Sequence, residues 1–440
     1  MESFRVNRMN FWRVVFFVSL FTSCANQMEA ETAPVLHANG LLYRDSLRYS
    51  FVNDSLSDIE YPSASHARRD SFFAKMDSVI LCREGKVSIL HIGGSHVQAD
   101  VFSHTVRCLL DSVNDDFKPA RGLFFPYQVA KTNNPTNYKV THKGQWTSSR
   151  NVKKERSARL GMTGIAVTTS DPSAEIKVKF LPSDSVRGRW RFNHLTLLGY
   201  ADTATCVPVV RLSDTLLIFP VRDKEMETYR FELPVATDSF TLSIIQKDSI
   251  PAAFTVCGFL AENGEKGVTY HSIGVNGAAV PSYLSCENFE RDLQLIHPDL
   301  VIFGIGINDA VPENFSEENF IAHYDSLIGE IERVSPDCFY IFLTNNDSYR
   351  KVRKNRRTRY VVNRNGLKVE HAFRVLAEKH QGGYWNLFGW MGGLSSMATW
   401  EKHGLAQKDK VHFTNKGYTL IGQSFYNALM RSYLEIEKDK

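Results

Sequence analysis

The chain has 440 residues, enough for two or three domains at about 100–200 residues each. A hydrophobic content of 43% and a charged content of 23% are ordinary for a globular protein. The formal charge of +4 is too small to argue for nucleic acid, and no nucleic-acid partner is expected.

The first residues read as a leader rather than as fold. Arg5, Arg8 and Arg13 precede the apolar run from Val14 to Phe21, which is too short to span a bilayer and has the layout of a secretory signal. It ends Leu20-Phe-Thr-Ser-Cys24. Small residues immediately before a cysteine resemble a bacterial lipobox, with Phe21 standing where leucine is usual. On this reading residues 1–24 are a lipoprotein signal peptide, Cys24 is the lipidated residue, and 25–45 is a tether. The protein is then expected in a bacterial cell envelope, periplasmic or on the outer membrane, held to the membrane by a lipid anchor. The plainer alternative is a soluble secreted protein with an incidental cysteine.

The other cysteines are Cys82, Cys108, Cys206, Cys257, Cys286 and Cys338. They form no CxxC pair and no ligand spacing, so neither a disulfide framework nor a zinc site is indicated. Cys206 and Cys257 remain candidates for a pair within one domain.

Residues 67–83 carry Phe72, Phe73, Met76, Val79 and Ile80 at helical spacing. The stretch that organises the chain follows: KVSILHIGGSHVQAD, from Lys86 to Asp100. Val87, Ile89, Leu90 and Ile92 make a short apolar strand, Gly93 and Gly94 break it, and Ser95 and His96 stand at the turn. A helix is expected over 97–113. A serine at the carboxyl end of a strand sits where open α/β sheets place their sites, although serine after paired glycines also serves as a plain turn and helix cap.

Residues 120–150, rich in Gly, Asn, Thr and aromatics, read as loop. From 158 to 262 short alternating runs such as Glu175-Ile-Lys-Val-Lys-Phe180 and Phe240-Thr-Leu-Ser-Ile-Ile245 are separated by turns such as Ser170-Asp-Pro172. They predict a β-sandwich. At Gly267 strand and helix begin to alternate. Strands are expected at Val268–Ile273, Leu300–Phe303, Phe339–Leu343 and Tyr384–Phe388, and helices at 282–296, 317–334, 361–380 and 415–435. That rhythm predicts a parallel sheet with helices on both faces. The expected domains are one α/β unit in two parts, 46–118 and 266–440, interrupted by an inserted β-sandwich at 119–265.

Three further signals lie at strand ends: His271-Ser-Ile-Gly-Val-Asn-Gly277, Gly304-Ile-Gly-Ile-Asn308-Asp309 and Asp409-Lys-Val-His412. Singly, each is a turn, a cap or a surface residue. Together with Ser95 they supply the separate parts of acyl transfer, which needs a nucleophile, a base, a group that orients the base, and donors for the oxyanion. Ser95 is the candidate nucleophile, His412 the base and Asp409 its orienting partner. The candidate oxyanion donors are the backbone amides of Ser95 and Gly277 and the Asn308 side chain. Gly274 competes with Gly277 for that role.

The order GGSH, glycine, GxND and DxxH resembles the SGNH (GDSL-type) hydrolase superfamily. Its blocks map onto Ser95, Gly277, Asn308 and the pair Asp409 and His412, and HFTNKGY from His412 is similar to the last block. The resemblance covers about 67–118 and 267–435. It implies a three-layer α/β/α, flavodoxin-like domain and ester hydrolysis without metal or cofactor. Bacterial peptidoglycan O-acetylesterases of this superfamily are similar in carrying a β-sandwich after the nucleophile block. That implies a serine esterase removing O-acetyl groups from a cell-envelope carbohydrate, peptidoglycan first. The alternatives are acetylated xylan or another plant or host glycan, and a non-catalytic glycan-binding envelope lipoprotein. By the same likeness the insert is expected to be carbohydrate-binding. One departure stands out: Gly94 occupies the place of the aspartate of GDS.

Other stretches have two readings each. Tyr349 to Arg359 (YRKVRKNRRTR) packs seven basic residues, which attract acidic glycan or anionic lipid head groups or form a solvated loop or helix start. Trp385, Trp390 and Trp400, with Tyr127 and Trp146, line a sugar cleft or pack in the core. His96 and Gln98 shape the pocket beside Ser95 or cap its helix.

Overall fold

The computed structural model describes residues 41–43, 49–113, 119–181, 190–213, 215–247, 252–354 and 357–439. Cys24, the expected signal peptide and nearly all of the expected tether lie outside the described residues.

Helix α1 (Ala67–Ile80) buries Phe72, Phe73, Met76 and Val79, one stripe at helical spacing. Strand β1 (Lys86–Gly93) follows and alternates its side chains. Val87 and Ile89 enter the core on one side of the sheet, Leu90 and Ile92 the core on the other. The single helix expected over 97–113 is two: α2 (Ser95–Gln98) and α3 (Val101–Asp111). Between them Asp100 has a φ of 51°, a left-handed conformation that interrupts the helix.

The insert is built from β2 (Gly122–Phe124), β3 (Tyr138–Lys143), β4 (Thr147–Arg150), β5 (Ile165–Thr169), β6 (Glu175–Phe180), β7 (Phe192–Ala201), β8 (Cys206–Arg211), β9 (Leu217–Ile218), β10 (Val221–Asp223), β11 (Thr228–Thr237), β12 (Ser239–Gln246) and β13 (Phe254–Glu262). They form two antiparallel sheets, β10-β11-β7-β13-β5-β4 with β2 beside β13, and β3-β6-β12-β8-β9. Strand β6 shows the pattern: Ile176, Val178 and Phe180 point inward while Lys177 is exposed. The expectation of loop over 120–150 is wrong for β2, β3 and β4. Strands β2 and β3 lie against strands further along the chain, β13 and β6, and β4 is a four-residue strand of Thr, Ser and Arg beside β5, so local composition does not announce them.

The α/β rhythm resumes with β14 (Gly267–Gly274), α4 (Val280–Leu284), α5 (Phe289–Leu293), β15 (Leu300–Gly304), α6 (Glu317–Val334) and β16 (Phe339–Leu343). A hairpin, β17 (Tyr349–Lys354) and β18 (Arg357–Val362), precedes α7 (Asn365–Lys379), β19 (Gly383–Trp385), α8 (Leu387–Trp390), α9 (Ser396–Lys402) and α10 (Asn415–Asp439). The sheet order is β14-β1-β15-β16-β19, with every pair parallel. Helix α6 shows why the sequence folds this way. Ser316 caps it, accepting from Asn319 N at 3.1 Å, and Phe320, Tyr324, Leu327, Ile328 and Ile331 form its buried stripe.

Both faces of the sheet are covered, as an all-parallel sheet requires. Leu300, Ile302, Phe339 and Ile341 share a core with α1, α3 and α10. Val301, Phe303, Tyr340 and Phe342 share the other with α6, α7 and the insert. The insert's interior is therefore continuous with one face of the parallel sheet. The architecture is three-layer α/β/α with an inserted β-sandwich.

The remaining differences are local. The helix expected at 282–296 is two short ones, α4 and α5. The basic run and the start of the helix expected at 361–380 are the hairpin β17–β18, whose hydrogen bonds run between partners that a linear reading does not pair. Cys206 and Cys257 are free thiols and do not pair with each other. Trp385 and Trp400 are fully buried and Trp390 nearly so, packed in the core as tilted pairs with ring separations of 5.6 and 5.8 Å from Trp390 rather than lining a cleft. Tyr127 is buried too, while Trp146 is half-buried on the insert. Among the described residues no helix is long and apolar enough to cross a membrane.

Candidate active site

Three neighbouring strands end on glycine at one level: Gly93 lies opposite Gly274 of β14 and Gly304 of β15. The short helix α2 lies across them. A Cβ on Gly93 would sit 2.1 Å from Val97 Cγ2, and one on Gly274 would sit 2.4 Å from Gln98 N and 2.6 Å from Gly94 O. Only glycines let the turn that carries Ser95 settle onto the sheet this closely.

Ser95 opens α2, and its Oγ lies 2.8 Å from His412 Nε2. His412 Nδ1 lies 2.7 Å from Asp409 Oδ2. The other carboxylate oxygen, Oδ1, accepts from the backbone amides of Val411 and His412 at 3.0 Å each, so one side chain orients the imidazole and shapes its own turn. Partial burial would raise the Asp409 pKa; the hydrogen bonds from the His412 ring and these amides outweigh it and hold the carboxyl below its usual range. A carboxylate at Nδ1 fixes the ring proton there and leaves Nε2 to accept from the serine hydroxyl.

Behind this pair lies His96, its ring 5.3 Å from that of His412 and its Nδ1 2.7 Å from Tyr418 Oη. Burial first, and then the His412 charge, push its pKa down to about 3. It packs as a neutral ring.

On the opposite side of the serine, the Asn308 amide donates to Ala278 O at 2.9 Å, which leaves its second N–H. A Cβ on Gly94 would lie 3.4 Å from Asn308 Nδ2 and 3.4 Å from Ala278 O, so this amide stands beside the turn that carries Ser95. The Cβ of a GDS aspartate would meet both at ordinary contact distance. Gly277 has a φ of 86°, and its nearest neighbour for an added Cβ is Val152 Cγ1 of the insert at 3.9 Å. It faces open space, whereas Gly274 is sealed beneath α2. Asp309 accepts from Val280 N through both oxygens at 3.2 Å. Its burial pushes the carboxyl up to about 6. Asn308 and Asp309 thus grip the 278–280 segment that follows Gly277.

Two side chains brace the Ser95 turn: Gln98, expected to shape the pocket or cap its helix, and Asp100, to which the sequence reading gives no role. Gln98 is buried and accepts from Asn276 N at 2.7 Å. It donates to Thr132 Oγ1 and Asn133 O of the insert at 3.1 and 2.9 Å. Asp100 is buried between Arg107 and Arg121, at 3.2 and 2.6 Å, and also accepts from Asn137 and Ser272 at 2.8 and 2.9 Å. Burial alone would raise its pKa; the two guanidiniums overcome that and hold the carboxyl far below the usual range. Through Arg121, Asn137, Thr132 and Asn133 the insert is bonded to the segment that follows Ser95. A buried polar hub of this kind has no local sequence signature; its members come from four separate stretches.

Residues 252–420 match the GDSL-like lipase/acylhydrolase family. No curated relative matches the chain in sequence. Among solved structures it is similar to a peptidoglycan O-acetylesterase at 20% identity, over 87% of this chain and 99% of that one, with a TM-score of 0.65. It is also similar to a family two carbohydrate esterase from Cellvibrio japonicus at 10% identity, over 67% and 98% of the two chains, with a TM-score of 0.26. A GDSL-like lipase from Bacteroides thetaiotaomicron matches at 18% identity over 37% and 74%, also with a TM-score of 0.26. Of these three, the first shares the fold. Residues 252–420 thus match the GDSL-like lipase/acylhydrolase family, and the chain is similar in fold to a peptidoglycan O-acetylesterase.

Proposed function

We propose that this protein is a serine esterase that removes O-acetyl groups from a cell-envelope carbohydrate, peptidoglycan first. The observation that carries the proposal is the line Ser95 Oγ, His412 Nε2, His412 Nδ1, Asp409 Oδ2, with spacings of 2.8 and 2.7 Å, beside the Asn308 amide. The likeness in fold to a peptidoglycan O-acetylesterase supports the choice of substrate.

In the proposed reaction Ser95 Oγ attacks the ester carbonyl while His412 Nε2 takes its proton. The tetrahedral oxyanion is held by the Ser95 and Gly277 amides and the second N–H of Asn308. His412 then gives its proton to the departing sugar oxygen, leaving acetyl-Ser95. Water, deprotonated by His412, attacks that ester; collapse releases acetate and returns the proton to Ser95. Asp409 keeps the ring in the tautomer that accepts, and steadies the imidazolium.

The protein is further proposed to be a lipoprotein anchored at Cys24, on the strength of Arg5, Arg8 and Arg13, the apolar run to Phe21 and the cysteine that follows. The test is acetate released from O-acetylated peptidoglycan and from acetylated xylan, by wild type and Ser95→Ala. Release from peptidoglycan that Ser95→Ala abolishes is expected. Release from xylan alone moves the substrate to plant glycans, and no release by either protein leaves a binding lipoprotein.

A further inference from the structure

The basic run from Tyr349 to Arg359 has no part in the chemistry above. It forms the hairpin β17–β18, with Lys351 opposite Tyr360, Val352 opposite Arg359 and Arg353 opposite Thr358. Residues directly opposite in an antiparallel pair share a face. Lys351, Arg353 and Tyr360 therefore lie on one face of the hairpin, and Arg359 on the other.

A two-stranded ribbon is only marginally stable alone, so its roots decide its role. Tyr349 N donates to Lys410 O at 3.0 Å, and Asn346 Nδ2, just before the hairpin, donates to Val411 O at 3.0 Å. Both acceptors lie between Asp409 and His412. At the other root Asn363 Nδ2 donates to Ala310 O at 3.0 Å, and Asn365 Nδ2 donates to Ala310 O and Pro312 O at 3.0 and 2.7 Å. These acceptors directly follow Asn308 and Asp309. One foot of the hairpin is fixed to the segment that carries the base, the other to the segment that carries the side-chain oxyanion donor.

The run holds seven cations and no acid. Arg350 is paired with Glu313 at 3.2 Å, and nearby Lys410 reaches Glu401 at 3.5 Å. Lys351, Arg353 and Arg359 are exposed, and none of them forms an ion pair among the described residues. Exposed Lys408, beside Asp409, extends the same field. Tyr360, 42% exposed, offers an aromatic face on the side that carries Lys351 and Arg353.

We propose that this hairpin is an arm that engages a polyanionic glycan, one whose repeating units carry carboxylates, and lays it across the Ser95 site. The proposal deepens the esterase reading and rests on it for the fate of the ester. A neutral acetylated glycan offers three unpaired cations nothing, whereas an acidic one supplies carboxylates that guanidinium groups grip through paired hydrogen bonds. The tyrosine gives a sugar ring a surface to lie on. An anionic membrane would satisfy the charge alone. It would not explain why both feet of the arm are tied to the segments that carry His412 and Asn308.

The test uses the full chain with Ser95→Ala, so that nothing is turned over, and follows a fluorescent oligogalacturonate by anisotropy. Addition of Lys351→Gln, Arg353→Gln and Arg359→Gln together is expected to raise Kd about tenfold, and so is a change from about 50 to about 500 mM NaCl. A neutral xylo-oligosaccharide is expected to show neither effect. The thermal midpoint of the triple variant verifies that it folds. Equal binding of the acidic oligosaccharide by both proteins, or none by either, overturns the proposal. So does loss of binding to phosphatidylglycerol vesicles while oligogalacturonate binding is unchanged, which marks a membrane-docking arm. Aryl acetate hydrolysis by the wild type separates the two claims. If it is absent while salt-sensitive acidic binding persists, the esterase reading fails and the arm stands.

Discussion

Replacing Asp409 by Asn removes one charge and changes almost no volume, so its effect reads the electrostatic link to His412. The carboxylate receives the His412 ring on Oδ2 at 2.7 Å and two backbone amides on Oδ1 at 3.0 Å. An asparagine cannot serve both sides. With its NH2 toward the ring, it forces the imidazole proton onto Nε2, where it can no longer accept from Ser95. With its oxygen toward the ring, its NH2 meets the two backbone donors. Either way a hydrogen bond to a charged group is lost, a loss of about 1.5–3 kcal/mol. At about 1.4 kcal/mol per tenfold, kcat should fall roughly 10- to 150-fold. The roughly 10⁴-fold loss known for a fully buried aspartate of this kind is not expected here, because the Asp409 side chain is 42% exposed and that of His412 34%. The assay is steady-state hydrolysis of 4-nitrophenyl acetate, with the thermal midpoint as a check on folding. A change below about twofold, in a folded protein, would refute the assignment of Asp409.

Asn308→Ala should lower kcat by about 100- to 1000-fold with little change in KM, if its amide meets charge that develops only in the transition state; parallel losses of binding would assign it to ground-state contact. Gly277→Ala, strained by its φ of 86° by about 1–2 kcal/mol, should fold and lose kcat. Gly274→Ala puts a methyl 2.4 Å from Gln98 N and should lower the thermal midpoint; the opposite pattern would exchange their roles. Asp100→Asn leaves two buried guanidiniums without their counter-charge, at about 3–5 kcal/mol in urea denaturation at neutral pH. The folded-state pKa of Asp100 is depressed, so its stabilisation is present above the ordinary carboxylate pKa and lost as pH falls below it. The gap between wild type and variant should therefore narrow on acidification, and a gap independent of pH would contradict the hub's charge.

What the sequence made legible was whatever repeats locally. Helix α6 was readable to its ends, because a capping serine precedes a stripe from Phe320 to Ile331. The strands β14, β15 and β16 were readable as short apolar runs. The site was legible because each candidate residue directly follows a strand or precedes a long helix, where parallel sheets gather their chemistry. What stayed hidden depends on distant partners. Strand β2 becomes a strand through β13, and β3 through β6. The basic run is a hairpin because Tyr349 pairs with Val362. Asp100 looked like one more helix residue, and only folding brings Arg121, Asn137 and Ser272 to it. The tryptophans before Asp409 carry the same side chain whether they stack on sugar or on each other, and here they pack on each other.

The central claim is that Ser95 is a nucleophile made reactive by His412. It is tested most directly by treating the protein with a fluorophosphonate ester and mapping the adduct by peptide mass spectrometry. Modification confined to the peptide that carries Ser95, absent in Ser95→Ala and much slower in His412→Gln, is the expected result. A wild type that stays unmodified, or one labelled equally fast without the imidazole, would contradict it.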